Sequence, residues 1–319
     1  MKDVTIGIDI GGTNTVLGIV DRSGMILSEN SISTTQYPDV NNYVAAVHEA
    51  IEKTLTGVGE KVSLKAIGIG APNGNYYQGT IEYPPNLVWE GVIPLCKYFS
   101  KYYTIPVVLT NDANAAALGE MIFGGAKGLK NFIVYTLGTG LGSGIVINGE
   151  VLYGHTGFAG EIGHIIMVPG GRDCGCGRQG CLETYASASG IVRTVGEILS
   201  LRRAESPLRY ITPHELTAKK ITEAAENGDP VALEVFDKTA SMLALSIVNA
   251  VAFSSPEAIF LFGGLANAGK YLFKPIEKYI NENIQVIFRN TVKLLPSQLM
   301  ESNAAVLGAS ALAWKELEH

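Results

Sequence analysis

Cys174, Cys176 and Cys181 fall within eight residues, and His164 lies ahead of them in an H-x9-C-x-C-x4-C spacing. One imidazole and three thiolates make the four-donor set of a closed tetrahedral structural zinc site, with no position left for a reactive water. Zinc on His164, Cys174, Cys176 and Cys181 would therefore brace a loop, and Gly171, Gly175, Gly177 and Gly180 let that loop wrap closely. The alternative is three free thiols beside an unrelated histidine. Cys96, after Ile93-Pro94-Leu95, reads as core.

Carboxylates form a second set. Asp9 stands two residues before Gly11-Gly12-Thr13 at the end of an apolar run. Backbone N–H groups of such a loop can cradle phosphate, Thr13 adds a hydroxyl, and Asp9 offers oxygen to Mg²⁺ directly or through water. Gly138-Thr139-Gly140 and Gly263-Gly264 follow apolar runs in the same way, the first suited to phosphates and the second to a flat nucleotide base. Each pair also suits a plain tight turn. No GxxxxGK[ST] occurs, and the one GxGxxG, Gly175–Gly180, is interrupted by cysteines and follows no strand. Asp112, after Val107-Val108-Leu109-Thr110-Asn111, is either a helix N-cap or a general base for a substrate hydroxyl. Glu161 and Glu183 bracket the cysteine cluster, either as surface groups or as carboxylates converging on a polyhydroxylated ligand.

The elements that must position these groups alternate between strand and helix. Strands are expected at Val4–Ile8, Val16–Val20, Ala66–Gly70, Val107–Leu109, Phe132–Thr136, Gly144–Ile147 and Ala258–Phe262. Val40, Val44, Val47, Ile51 and Leu55 form one helical stripe with Asp39 as N-cap. Further helices are expected at Ala113–Phe123, Leu182–Leu199, Pro230–Val251 and Asn303–Leu317, with Arg203–Thr212 a loop before a short helix. Offsetting the chain by 127 residues superimposes Gly11 on Gly138, Thr13 on Gly140 and Asp21 on Asn148, so strand, glycine loop, strand, tight turn and strand recur in order, the first turn being Asp21–Gly24. That repetition implies a duplicated α/β unit, and Asn148-Gly149 is a strong hairpin signal.

Length and composition bound the setting. The 319 residues suffice for two domains, 47% are apolar and 17% charged, and the net charge is −6. No basic run exceeds Arg202-Arg203 or Lys219-Lys220, which argues against general nucleic-acid binding. No secretion signal is visible near the start, and the longest apolar stretch, Met242 to Phe253, falls short of the ~20 residues of a bilayer span. The expectation is a cytoplasmic protein off the membrane, with reduced cysteines. Glycine, at 37 residues, is in excess, and the three strand-end loops and the metal loop are expected to account for much of it.

With these motifs in place the chain resembles, over nearly its whole length, the ROK family of bacterial sugar kinases, glucokinases in particular, within the actin/hexokinase/Hsp70 superfamily. The resemblance rests on Asp9-Ile10-Gly11-Gly12-Thr13, Pro85-Asn86-Leu87, Asn111-Asp112-Ala113-Asn114, the run Leu137 through His164, and Cys174-Gly175-Cys176-Gly177-Arg178-Gln179-Gly180-Cys181-Leu182-Glu183. It implies an α/β, two-lobed actin-like ATPase (ribonuclease H-like) fold, with duplicated mixed-sheet domains closing around a cleft on sugar and MgATP. The lobes would be residues 1–115, with helix 303–319 packing back on them, and 116–302, which holds the zinc loop. The implied activity is ATP-dependent phosphorylation of a hexose, most simply glucose to glucose 6-phosphate in glycolysis, by a homodimer. N-acetylglucosamine, N-acetylmannosamine, mannose and fructose are the other acceptors to consider.

The resemblance also implies roles for residues. Asp112 would be the base, while Asn86, Asn111, Glu161, His164 and Glu183 would contact sugar, His164 using its second ring nitrogen. Asp9, Gly11, Gly12, Thr13, Gly138, Thr139, Gly140, Gly263 and Gly264 would hold nucleotide and Mg²⁺. Two departures stand out. Asn14 replaces the lysine frequent in the family after Gly-Gly-Thr, and Pro72-Asn73 replaces Pro-Gly, which makes the Asn73 amide a further candidate for substrate. Family repressors usually carry a helix-turn-helix domain ahead of the first glycine pair; here eight residues precede Asp9, so the kinase reading is preferred.

Overall fold

The computed structural model describes residues 1–59, 61–299 and 301–318. Glu60, Met300 and His319, inside the expected segments 1–115, 116–302 and 303–319, lie outside the described residues. The chain separates into two compact units: Met1–Leu129 with Val151–Ala159 and Ser297–His319, and Lys130–Glu150 with Gly160–Pro296.

The first unit is built on β1 (Lys2–Ile10), β2 (Asn14–Asp21), β3 (Ile26–Ser33), β4 (Val62–Gly70) and β8 (Val107–Thr110), with α1 (Val40–Gly57) between β3 and β4. Between β4 and β8 come β5 (Gly74–Asn75), β6 (Thr80–Glu82) and β7 (Val92–Ile93), a small separate sheet, and α2 (Leu95–Phe99). The main sheet runs β3-β2-β1-β4-β8, antiparallel as far as β1 and parallel beyond it. Val4, Ile6, Ile8, Ile10, Leu17 and Ile19 are fully buried or nearly so, each worth about 1.5–3 kcal/mol of removal from water. Asp39 caps α1 as expected, accepting from Asn42 N–H.

α3 (Asp112–Ile122) follows β8 and stays whole within the first unit, which runs on to Leu129, so a division after residue 115 would cut a helix. The C-terminal helix Glu301–Glu316 lies against β1, β4 and α3. Gly7 and Gly68 admit it: a Cβ at either would collide with the helix backbone at Val306 or Ala309. Some of the glycine excess thus serves helix–sheet approach, not ligand loops.

The second unit repeats the plan. β9 (Phe132–Leu137), β10 (Leu141–Ile147), β11 (Glu150–Val151), β12 (Ala258–Phe262) and β13 (Lys293–Pro296) form a sheet in the order β11-β10-β9-β12-β13. The register refines the 127-residue offset. Ile10 corresponds to Leu137, but their partners Thr15 and Leu141 are 126 apart, because the second glycine loop is one residue shorter. Asn148 (φ 55°) and Gly149 (φ 82°) make the turn into β11, both in the left-handed region that a type I′ turn demands.

Several elements depart from expectation. Leu182–Leu199 is two helices, α4 (Glu183–Ala186) and α5 (Ala188–Leu201), because Ser187 is extended and caps α5 by accepting from Gly190 N–H. Arg203–Thr212 contains a 3₁₀ turn at Pro207–Tyr210 before α6 (Ala218–Glu226). α7 (Pro230–Ser254) is capped by Asp229. α8 (Lys270–Asn283) and the edge strand β13 are additional; β3 is the strand expected after the turn at Asp21–Gly24, and its polar sequence, Ile26-Leu27-Ser28-Glu29-Asn30-Ser31-Ile32-Ser33, leaves its bounds unmarked.

Candidate active site

Sheet register assembles the acidic centre of the first unit. Asp9 on β1 pairs with Gly70 on β4, and Gly70 with Thr110 on β8, so Asp9 shares one row at the strand ends with Thr110, two residues before α3 begins. Asn111, not Asp112, is the N-cap of α3; its Oδ1 accepts from Asn114 N–H at 2.7 Å. Asp112 is thereby released from capping, and its Oδ1 accepts from Ala113 N–H at 2.9 Å, which orients the carboxylate. The protein crowded around Asp112 pushes its pKa up, against the Ala113 N–H and its own N–H, although the residue keeps solvent-accessible surface. Burial, then the charge of Asp112, pushes Asp9 up to about 6. Two carboxylates that resist ionisation side by side would be relieved by a divalent cation.

This coupling gives a stability prediction. Folded Asp9 holds its proton up to about pH 6 against an ordinary 3.8, so its ionisation removes stability as pH rises through that window. In Asp9→Asn that loss disappears, and without metal or nucleotide the variant should exceed the parent by up to about 3 kcal/mol above pH 6. The advantage should be near zero at pH 4. Urea midpoints at pH 4 and 7.5 decide the matter; equal midpoints at both would contradict it.

The sugar-loop candidates lie beside this centre. Asn86 is exposed and its carbonyl lies where a Cβ of Gly12 would be, so the loop abuts Gly11-Gly12-Thr13. Asn73, at φ 53°, donates from Nδ2 to the carbonyls of Glu82 and Tyr83 at 3.0 and 3.1 Å. Its amide nitrogen thus shapes the loop.

In the second unit the four metal candidates come together: ligand atoms of His164, Cys174, Cys176 and Cys181 all lie within 4.8 Å of one another. Cys174 Sγ is 3.6 Å from His164 Nδ1 and Cys176 Sγ is 3.7 Å from Cys181 Sγ. A tetrahedron with zinc–sulfur bonds of ~2.3 Å has sulfur–sulfur edges of about 3.8 Å, so the donor set fits zinc. Although desolvation opposes it, hydrogen bonds from the Arg178 side chain and N–H bring the Cys176 thiol down to about 6.

Glu183 joins this cluster to the second glycine loop. Its Oε1 lies 3.8 Å from Cys174 Sγ and its Oε2 accepts from Leu141 N–H at 2.9 Å. A Cβ on Gly140 would meet that carboxylate, the movable end of a side chain, whereas a Cβ on Gly138 would meet nothing. Gly263 sits against the backbone of Leu137, so the second and third glycine loops meet at the ends of parallel strands β9 and β12. Glu161 is exposed at the start of the 3₁₀ turn Ile162–His164.

Arg172 was not legible in advance. Buried, it donates to the Thr184 and Gly190 carbonyls, Thr194 Oγ1 and Glu197, and stacks 4.4 Å from the Tyr185 ring centroid. It locks the turn that carries Glu183, and its partners lie 12 to 25 residues away, beyond any local signal.

Residues 5–316 match the ROK family model. The chain belongs to the ROK family. Among its ROK relatives, a glucokinase from Streptomyces coelicolor is 38% identical over 316 residues, covering 97% of each chain. A ROK family glucokinase from Streptomyces griseus, solved with glucose and AMPPNP, superposes with a TM-score of 0.78 at 35% identity, covering 98% of this chain and 99% of that one. A ROK family transcriptional regulator, a homolog of the E. coli MLC protein, superposes at 0.85 with 28% identity, and this chain covers 78% of it. The mixed α/β architecture is that of ROK glucokinases, an actin-like ATPase fold.

Proposed function

We propose that this ROK protein is an ATP-dependent glucokinase, transferring the γ-phosphoryl group of ATP to the 6-hydroxyl of glucose. The observation that carries it is the capping of α3 by Asn111, which frees Asp112, with its raised pKa, to act as base beside Asp9. Similarity to the glucokinases of both Streptomyces species supports the substrate.

Phosphoryl transfer needs positioning and charge neutralisation more than covalent chemistry. Asp112 takes the proton of the 6-hydroxyl as oxygen O6 bonds to the γ-phosphorus and the bond to the ADP oxygen breaks. Gly11, Gly12 and Thr13 hold phosphates in the first unit, Gly138, Thr139 and Gly140 in the second, and Gly263-Gly264 takes the nucleoside end. Asp9 would hold Mg²⁺, which neutralises phosphate charge when bound. Asn86, Asn111, Glu161, His164 and Glu183 hold sugar hydroxyls, with Asn73 shaping its loop. Zinc on His164, Cys174, Cys176 and Cys181 is structural, holding the His164 ring and the Glu183 turn.

We place the enzyme in the cytoplasm as a homodimer feeding glycolysis, with no nucleic-acid or membrane partner. Among the described residues no helix is long and apolar enough to cross a membrane. Phe253, Ile165 and Ile166, 84%, 47% and 46% exposed, supply an apolar surface for a second copy. A coupled ADP-release assay across glucose, N-acetylglucosamine, N-acetylmannosamine, mannose and fructose tests the activity. Glucose should give the highest kcat/KM; preference for another sugar would correct the substrate, and sugar binding without turnover would favour a regulator.

A further inference from the structure

The loop Gly138-Thr139-Gly140 is shaped by the break between α4 and α5. Ala188 N–H donates to the Gly138 carbonyl at 2.8 Å, and the Ser189 hydroxyl donates to the Thr139 carbonyl at 2.7 Å. Ser187 Oγ lies 3.0 Å from Ser189 Oγ and accepts from Gly190 N–H at 3.0 Å, which holds the Ser189 side chain in place. In a trans peptide the C=O and the following N–H point in opposite directions. Tying the Gly138 and Thr139 carbonyls toward α5 therefore turns the N–H groups of Thr139 and Gly140 away from it. Those are two of the donors a phosphate-binding loop must present together. The Ala188 hold comes from backbone and survives any side-chain change; the Ser189 hold depends on one hydroxyl.

We propose that Ser189 is a positioning residue for the nucleotide phosphates, acting through the Thr139 carbonyl to aim the Gly140 N–H. The assignment rests on the ATP reading of this loop. It also gives the α4–α5 turn two functions, since Glu183 at its other end receives Leu141 N–H. Sugar contacts and nucleotide loop are thus mounted on one turn.

Ser189→Ala and Ser189→Thr, assayed with MgATP and glucose varied in turn, test the proposal. Removing the hydroxyl should raise KM for ATP by about 3- to 10-fold, the value of one neutral hydrogen bond, and leave KM for glucose unchanged. Threonine, which keeps the hydroxyl, should restore KM for ATP to within about twofold. An unchanged KM for ATP, a parallel rise in both constants, or a threonine variant as impaired as alanine overturns it. Calorimetric binding of AMPPNP to the same three proteins reads the loop without turnover, with the same ranking expected. Nucleotide binding without glucose phosphorylation would defeat the kinase reading alone, leaving the Ser189 comparison to stand or fall on these affinities. A parent that binds no nucleotide would overturn both.

Discussion

Asp112→Asn should fold normally and bind glucose with near-parental affinity, but turn over at least ~100-fold more slowly, the lower bound for a positioned general base. Asparagine keeps the shape, and its side-chain oxygen can still accept from Ala113 N–H, while Asn111 continues to cap α3. Both the cap and the Ala113 contact survive the substitution, so a loss of turnover reports on chemistry and not on the helix. A second readout is pH. The parental rate should fall as pH drops through the raised pKa of Asp112, because the protonated acid cannot accept the hydroxyl proton. The residual rate of the variant should lack that limb. Near-parental turnover, or an unchanged acid limb, would refute the base assignment.

The second large effect concerns the metal. The protein should carry one zinc per chain, and Cys176→Ser should carry substantially less. Structural zinc contributes directly to folding free energy, so loss of the ion should lower Tm on the order of 10 °C for a chain of this size. KM for glucose should rise as well, because the cluster touches Glu183, a proposed sugar ligand: Cys174 Sγ lies 3.6 Å from His164 Nδ1 and 3.8 Å from Glu183 Oε1. KM for ATP should move less, since Ala188 and Ser189 hold the glycine loop through partners outside the cluster. Elemental analysis, thermal melts and steady-state kinetics give the three readouts. A folded, fully active protein without zinc would remove the structural role.

Much of this was legible because it is local. Asp39, the Asn148-Gly149 turn and the strands around the first two glycine loops obey short-range rules of capping, positive φ and apolar alternation. The H-x9-C-x-C-x4-C spacing was legible because ligands close in sequence have little freedom to be far apart in space. Ser187, by contrast, reads as one more residue in a helix until its extended backbone divides α4 from α5. The bounds of β3 were not legible because an edge strand buries little, and sequence periodicity reports burial.

From the residues alone came the chemistry available: four soft and nitrogen donors for a structural metal, glycine loops without Cβ at strand ends, and an acid placed where a strand becomes a helix. The duplicated frame was visible too, as two strand–loop–strand copies. Tertiary structure decided the division of labour within it. The glycine loops sit on the repeated sheets, whereas Asn73 and Asn86 lie in the excursion between β4 and β8, and Glu161, His164 and Glu183 in the one between β11 and α7. It also decided that Asn111 caps while Asp112 is released, that Asp9 shares a sheet row with Thr110, and that Gly140 faces Glu183. Each depends on strand register or on a side chain's choice between neighbouring partners. Such choices are set by which alternative buries and satisfies the most groups at once, and only the folded chain compares them.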